Sequence, residues 1–379
     1  MYFEDARHSL RAIIGASVAS LKARLFSRLM QDGLRAKFPT VPPIKPIKLV
    51  STVPLTESHL ATLRAAAPNA EFVARGCRTP DDVRALIADG CDAMLTFIMP
   101  NDLPQRAPNL KWVQLLSAGA DHAMGVVQSS HITLTTASGI HATPIAEYTI
   151  ASMLAFAHGF HLMIRSQIKH EWRRSGFPGT IEELRGKTFG IIGYGSIGRE
   201  SARLAKAFGM RILALKRDPA NPRDEGWCPA GLGDPDGVIP EKFFGPDQRE
   251  EIVRESDYLT VTLPLTEHTR KFIGAREIAA MRPGAYIVNI GRGEVIDESA
   301  LTDALKAGKI AGAGLDVFEK EPLPKESPIW DIESVILTPH MSGANRGYLD
   351  KACALFADNL RRFVAGRPLL NVVDLGLGY

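Results

Sequence analysis

The stretch Phe189-Gly-Ile-Ile-Gly-Tyr-Gly-Ser-Ile-Gly198 decides the fold. An apolar run of strand character ends at a glycine, and glycines then recur in the spacing G-x-G-x-x-G. The pattern alone is weak, because glycine is common in this chain. Its context gives it weight. It follows a strand and opens a helix whose inner face would be Ile197, Leu204, Ala205 and Phe208, closed by Gly209. Gly193 then permits a tight turn, Gly195 lets a pyrophosphate approach the backbone, and Gly198 allows close helix–strand packing. Ser196 and Ile197 start that helix, whose N-terminus offers unpaired N–H groups and partial positive charge.

Downstream the chain alternates. Strands are expected at Thr188–Ile192, Arg211–Leu215, Tyr258–Leu263, Ala285–Ile290, Ala313–Val317 and Ser334–Leu337. Helices fit between most of them, at about 197–208, 248–255, 276–281 and 298–307. Residues 218–240, rich in Pro, Gly and Asp, read as an irregular surface excursion. This connectivity predicts a dinucleotide-binding fold of strand order 3-2-1-4-5-6. The second strand should end in an acid that binds the adenosine ribose. It ends instead in Lys216 and Arg217. Two cations attract a 2′-phosphate, and Arg grips one bidentately, so NADP is expected over NAD. Asp218 is the counter-evidence: a slightly longer strand would carry this carboxylate to the ribose.

Upstream, strands are expected at Ile47–Ser51, Glu71–Ala74, Cys91–Phe97 and Trp112–Leu116, with helices at 57–66 and 80–88. Short strands separated by helices indicate a second parallel sheet. From Ala146 to about Trp172 the apolar residues Ile150, Met153, Leu154, Ala157, Phe160 and Ile164 share one face of a long helix that could bridge two domains.

Bulk properties exclude several classes. At 379 residues, two domains are the default. A net charge of +3 is too small to argue for nucleic acid. Cys77, Cys91, Cys228 and Cys353 are scattered, without metal-ligand spacing or a disulfide framework, which favours a reducing compartment and so the cytoplasm. No apolar stretch is long enough to span a bilayer. Residues 10–29 carry a basic amphipathic pattern, followed by the Pro-rich Thr40-Val-Pro-Pro-Ile-Lys-Pro46. A transit peptide would look similar, but Glu4 and Asp5 argue against one. An extension that packs on the body or on a partner is expected.

Three strand ends carry chemistry. One ends in Val288-Asn-Ile-Gly-Arg-Gly293, the next in Leu315-Asp-Val-Phe-Glu-Lys-Glu-Pro322, the last in Leu337-Thr-Pro-His340. Neighbouring parallel strands lie about 4.8 Å apart, so Arg292, Glu321 and His340 should converge on the rim where ligands bind in open α/β sheets. Hydride transfer to a carbonyl carbon leaves negative charge on oxygen, and His is suited to supply the proton. A carboxylate on the other ring nitrogen would hold that His ready as the acid. Arg presents a fork that fits a carboxylate and polarises a carbonyl. Together they describe reduction of a 2-oxo acid, or oxidation of a 2-hydroxy acid.

Over about residues 47–379 the chain resembles the D-isomer-specific 2-hydroxyacid dehydrogenase family. The resemblance rests on Gly139-Ile-His-Ala-Thr-Pro-Ile-Ala-Glu147, the glycine loop, Ser256-Asp-Tyr, Leu263-Pro-Leu-Thr266, Asn289–Gly293, Leu315-Asp-Val-Phe-Glu319, Glu321-Pro322 and Thr338-Pro-His340. It implies that Arg292, Glu321 and His340 are catalytic. It implies that Thr143 and Asp316 contact the nicotinamide half of the cofactor, that Leu263 and Pro264 belong to the cofactor site, and that Ser117, Ala118 and Gly119 offer backbone amides to the substrate carboxylate. It also implies a homodimer joined through the long middle helix. The flavour is closest to glyoxylate/hydroxypyruvate reductases.

The expected fold class is therefore α/β, with two doubly wound parallel-sheet domains, a Rossmann cofactor domain inserted into a flavodoxin-like substrate domain. Boundaries are expected at 1–46 for the extension and linker, 47–149 with 340–379 for the substrate domain, and 150–339 for the cofactor domain. Hinges near 148–151 and Pro339 would let the cleft close. Phe97, Ile98 and Met99 could line the substrate pocket or its core equally well, and His122 reads as a hydrogen-bonder of the cleft wall. A non-catalytic nucleotide sensor on the same fold is the alternative, opposed by the intact Arg292, Glu321 and His340. Formate enzymes of this fold carry Gln where Glu321 stands.

Overall fold

A computed structural model describes residues 46–128, 130–172 and 181–378. The basic amphipathic pattern at residues 10–29, and the Pro-rich linker except Pro46, lie outside the described residues. From Ile47 onward the chain forms one compact unit built on two parallel sheets. The first contains β1 (Lys48–Ser51), β2 (Glu71–Ala74), β3 (Ala93–Thr96), β4 (Trp112–Leu115) and β5 (Thr133–Thr135), in the order β2-β1-β3-β4-β5. That is the flavodoxin-like order. The second contains β6 (Thr188–Ile192), β7 (Arg211–Leu215), β8 (Lys242–Phe244), β9 (Tyr258–Val261), β10 (Tyr286–Asn289), β11 (Gly312–Leu315) and β12 (Val335–Leu337). Its order is β12-β11-β10-β9-β6-β7-β8.

The second sheet corrects one expectation. β8 is absent from the strands expected above, and it takes the third place in the Rossmann order. The strand at Tyr258, expected third and at an edge, instead pairs with both β6 and β10. β10, β11 and β12 remain neighbours, so the rim bearing the candidate chemistry is as expected.

The long middle helix is in fact two, Ala142–Ala157 and Phe160–Ile168. Gly159 separates them at φ 67, a left-handed conformation glycine adopts without Cβ strain. The first helix starts earlier than expected and packs on the second sheet from Ile145 onward. Its seat is β11, whose glycines admit the helix. A Cβ at Gly312 would lie 2.6 Å from Phe156 Cε2, and one at Gly314 2.8 Å from Tyr286 Oη. Phe156 stacks on Tyr286 at 4.2 Å, and Ser152 Oγ lies 2.9 Å from the Tyr286 hydroxyl. The Tyr348–Val364 helix returns across the first sheet, where Phe356 stacks on Trp112 at 4.7 Å.

The Ser196–Ala207 helix departs from its expected face. Ala205 is buried, but Phe208 is 40% exposed, and the charged Arg199 and Glu200 are 3% and 0% exposed. Residues from the 218–240 segment bond to both, so this excursion, irregular as expected, is docked on the helix rather than lying free at the surface. Among the described residues no helix is long and apolar enough to cross a membrane.

Gly314→Ala tests the helix seat. The added methyl overpacks a filled interface, and a loss of about 1–3 kcal/mol is expected, read as a lower Tm by calorimetry.

Candidate active site

The glycine turn is built as its spacing requires. Gly193 has φ 103, and a Cβ there would lie 2.7 Å from Thr262 Oγ1 and 3.0 Å from Leu263 Cδ2. Thr262 Oγ1 donates to the Gly193 carbonyl at 2.6 Å, which ties the turn to the end of β9. A Cβ at Gly198 would lie 2.9 Å from Ile191 Cγ2, so helix and strand touch there. Nothing lies within 4 Å of the Cβ position at Gly195, which leaves the helix N-terminus open to an anion. Ser196 Oγ lies 3.4 Å from Ser138 Oγ, and Ile197, Leu263 and Pro264 are half-buried around the turn. Thr143 stands in the first turn of the Ala142–Ala157 helix and is also half-buried. An open glycine turn before a helix N-terminus fits a dinucleotide pyrophosphate.

At the end of β7, Arg217 is exposed and Lys216 half-buried. Lys216 Nζ donates to the carbonyls of Asn221 and Arg223. Burial, then the Arg199 guanidinium, hold its ammonium below the usual lysine range. Lys216 is thus turned toward the 218–240 segment.

Along the rim, backbone contacts assemble the candidate catalytic residues. Asn289 Nδ2 donates to the Arg292 carbonyl at 3.1 Å and fixes the turn after β10. A Cβ at Gly293 would overlap the Phe318 carbonyl, so the Arg292 and Glu321 loops pack backbone to backbone. Glu321 Oε1 accepts from the Phe318 N–H at 3.0 Å, and its Oε2 meets His340 Nδ1 at 2.8 Å. Arg292 Nη1 donates to the Gly291 carbonyl at 2.9 Å, while Nη2 lies 3.5 Å from Asp121 Oδ1. A Cβ at Gly119 would lie 2.5 Å from Arg292 Nη2. The Ser117-Ala118-Gly119 loop of the first sheet therefore faces the guanidinium directly.

Asp316 lies deeper than the sequence suggested. It is fully buried, and its oxygens accept from Thr338 Oγ1 (2.6 Å), Met341 N (2.8 Å), Ser342 N (3.0 Å) and Ser342 Oγ (2.5 Å). In this conformation it holds the segment that carries His340. Tyr148 extends the network, its hydroxyl 2.8 Å from Thr338 Oγ1. Burial pushes that phenol up to about 12, so it stays protonated.

Asp121 and Tyr148 escape sequence reasoning as site residues, because their partners lie far away in sequence. Phe97 stacks on Tyr348 at 6.0 Å and is 42% exposed, while Ile98 and Met99 pack against the core of the first sheet. An apolar cavity of about 540 Å³, lined by Phe318, Leu323, Trp330 and Leu337, opens beside Glu321 and His340. Neither Arg292 nor the Ser117–Gly119 loop lines it, so it flanks the cleft rather than forming it. His122 is exposed.

An open α/β sheet that turns at its carboxyl edge through such a glycine loop, with a paired carboxylate and imidazole on the same edge, has the layout of a dinucleotide-linked oxidoreductase. A family model described as D-isomer specific 2-hydroxyacid dehydrogenase, NAD binding domain, matches residues 150–342. A glyoxylate reductase of Aeropyrum pernix is 36% identical over 299 residues, 77% of this chain and 84% of that protein. The chain belongs to the D-isomer specific 2-hydroxyacid dehydrogenases, a family of NAD(P)-dependent enzymes. It is also 36% identical to a D-3-phosphoglycerate dehydrogenase of Methanocaldococcus jannaschii over 275 residues, 72% of this chain, and spans 49% of that relative's length. Among solved structures, an NADPH-dependent glyoxylate/hydroxypyruvate reductase of Sinorhizobium meliloti, in complex with NADP and sulfate, matches at a TM-score of 0.70 and 26% identity. That match covers 88% of this chain and all of that one (100%).

His141 supplies a pH test. Its ring packs edge-on to Tyr348 at 5.2 Å, and burial, then Lys351, push it down to about 4. Below the ordinary histidine range the unfolded chain takes up a proton that the folded ring refuses. Stability present above pH 6.5 is therefore lost as pH falls toward 4. His141→Gln should reduce this loss by about 1–2 kcal/mol at pH 5, measured by urea unfolding against pH 7.

Proposed function

We propose that the chain is an NADPH-preferring reductase of small 2-oxo acids such as glyoxylate or hydroxypyruvate, forming the D-2-hydroxy acid. The observation that carries this reading is the 2.8 Å contact between His340 Nδ1 and Glu321 Oε2, on a loop packed against that of Arg292. When bound, the nicotinamide supplies the hydride. Arg292 and the amides of Ser117, Ala118 and Gly119 hold the substrate carboxylate, and the guanidinium polarises the carbonyl. Glu321 occupies Nδ1, so Nε2 of His340 delivers the proton to the carbonyl oxygen. Gly193, Gly195, Ser196, Ile197 and Gly198 receive the pyrophosphate, with Leu263 and Pro264 alongside; Thr143 flanks the nicotinamide, and the buried Asp316 acts on that side through the turn it holds.

The NADPH preference draws on Lys216 and Arg217, and on the NADP in the Sinorhizobium meliloti structure. The substrate lobe comprises 47–149 with 340–379 and the cofactor lobe 150–339, with hinges near 148–151 and Pro339. The location is cytoplasmic, which a fluorescent fusion would test.

His340→Ala should lower kcat by about 10²–10⁴ while NADPH still binds. Wild-type turnover in this variant, or no wild-type turnover over a panel of oxo acids with NADH and NADPH, would refute the assignment. The chain is further proposed to be a homodimer. Phe160, Ile164 and Ile168, 53%, 56% and 75% exposed, form an apolar stripe along one helix. Sedimentation of Ile164→Glu should give monomers; a monomeric wild type would contradict the dimer.

A further inference from the structure

Residues 218–240 leave β7 and return to β8, yet they do not stay on their own sheet. On one side they grip the glycine-turn helix. Arg199 Nη1 donates to the Asp234 carbonyl at 2.5 Å and Nη2 to the Pro222 carbonyl at 2.7 Å. Gly233 N donates to the buried Glu200 at 2.7 Å, and the Tyr194 hydroxyl donates to Asp234 at 2.7 Å. At its far reach the segment enters the other lobe. Trp227 Nε1 donates to Asp358 Oδ2 at 2.9 Å, and its N–H donates to Asn371 Oδ1 at 3.0 Å. Its ring packs against the core of the first sheet, and a Cβ at Gly139 would lie 3.0 Å from Trp227 Cε3. Asn371 Nδ2 in turn donates to the carbonyls of Thr136 and Ser138, at 3.2 and 2.8 Å. One side chain thus joins the segment, the C-terminal tail and the chain crossing that precedes the Ala142–Ala157 helix.

The chain itself passes between the lobes in two places, after β5 and after β12. The 218–240 segment adds a third, non-covalent link. Both its ends are rooted in the second sheet, and Arg199 and Glu200 hold it there on either side of Trp227, so it has little slack. Parting the lobes by more than a hydrogen-bond length breaks the Trp227 contacts.

We propose that residues 218–240 are a strap that pins the substrate lobe against the cofactor lobe, with Trp227 as its bolt, so that cofactor exchange waits on withdrawal of Trp227. The exchange step rests on the reading of the cleft as the nicotinamide site; the pinning does not. Two full-length variants test it, Trp227→Ala and Asp358→Ala. The second removes the indole's acceptor and a surface pair to Arg361, and decides the matter if the first does not fold. NADPH release is read by stopped-flow fluorescence during a chase with excess NADP. Lobe separation is read by small-angle scattering of the ligand-free protein, and folding by Tm.

Release should accelerate about tenfold in Trp227→Ala and about fivefold in Asp358→Ala, with a larger radius of gyration in both. A lower Tm with unchanged release and superposable scattering curves would make the contacts merely structural and overturn the strap. If wild-type protein binds no NADPH, the cofactor reading falls by itself, and the scattering comparison alone decides the pinning.

Discussion

The site depends on one buried carboxylate. Asp316 has no exposed surface, and a charge in that position is tolerable only if its oxygens are fully hydrogen-bonded. The residues that satisfy it all lie between Thr338 and Ser342, in the turn that presents His340. That turn holds His340 at φ 54, a left-handed conformation uncommon for any residue with a Cβ. The four donors to the Asp316 carboxylate offset that cost, together with the bond from the His340 N–H to the Asp316 carbonyl at 2.8 Å. Each carboxylate oxygen takes two of these bonds, so losing one donor weakens the pairing of a buried charge, and the imidazole is aimed by backbone geometry more than by its own contacts.

The rim was legible because it depends on strand order, and strand order follows from pattern. β10, β11 and β12 are short apolar runs, each followed by polar residues, and their adjacency does not depend on β8. β8 escapes sequence reading because it covers only Lys242–Phe244 and opens on a polar residue, whereas the equally short Val335–Leu337 is wholly apolar. β5, Thr133–Thr135, escapes for the same reason. The break in the middle helix turns on Gly159, a residue whose φ the apolar period does not report.

The strap was illegible for a different reason. Its Pro, Gly and Asp content describes a chain without regular local hydrogen bonding, and that is correct. Its partners are Tyr194, Arg199 and Glu200 on one side and Asp358 and Asn371 on the other. The helix that follows the glycine turn was expected to bury an apolar face. It buries Arg199 and Glu200 instead, because the strap supplies Arg199 with carbonyl acceptors and a counter-charge, and Gly233 N–H with Arg203 pairs Glu200. Buried ion pairs of this kind add little net stability, yet removing one partner strands the other in a dry site. They specify where the strap sits more than they hold the fold together.

The guanidinium of Arg292 shows how a site can be assembled without being locked. Its contact to Asp121 is 3.5 Å long and partly exposed, with the two side chains 32% and 56% accessible. Pairs of that kind are worth about 0–1 kcal/mol. A substrate carboxylate that met both guanidinium nitrogens would make shorter, charge-assisted bonds. Asp121 therefore parks the fork beside the Ser117–Gly119 loop without competing strongly for it. On the proposed pinning, the strap sets how far that loop stands from Arg292, because the loop rides on the lobe that Trp227 bolts down. On both proposals, the carboxylate grip and the strap are two readings of one distance, that between the first sheet and the rim of the second.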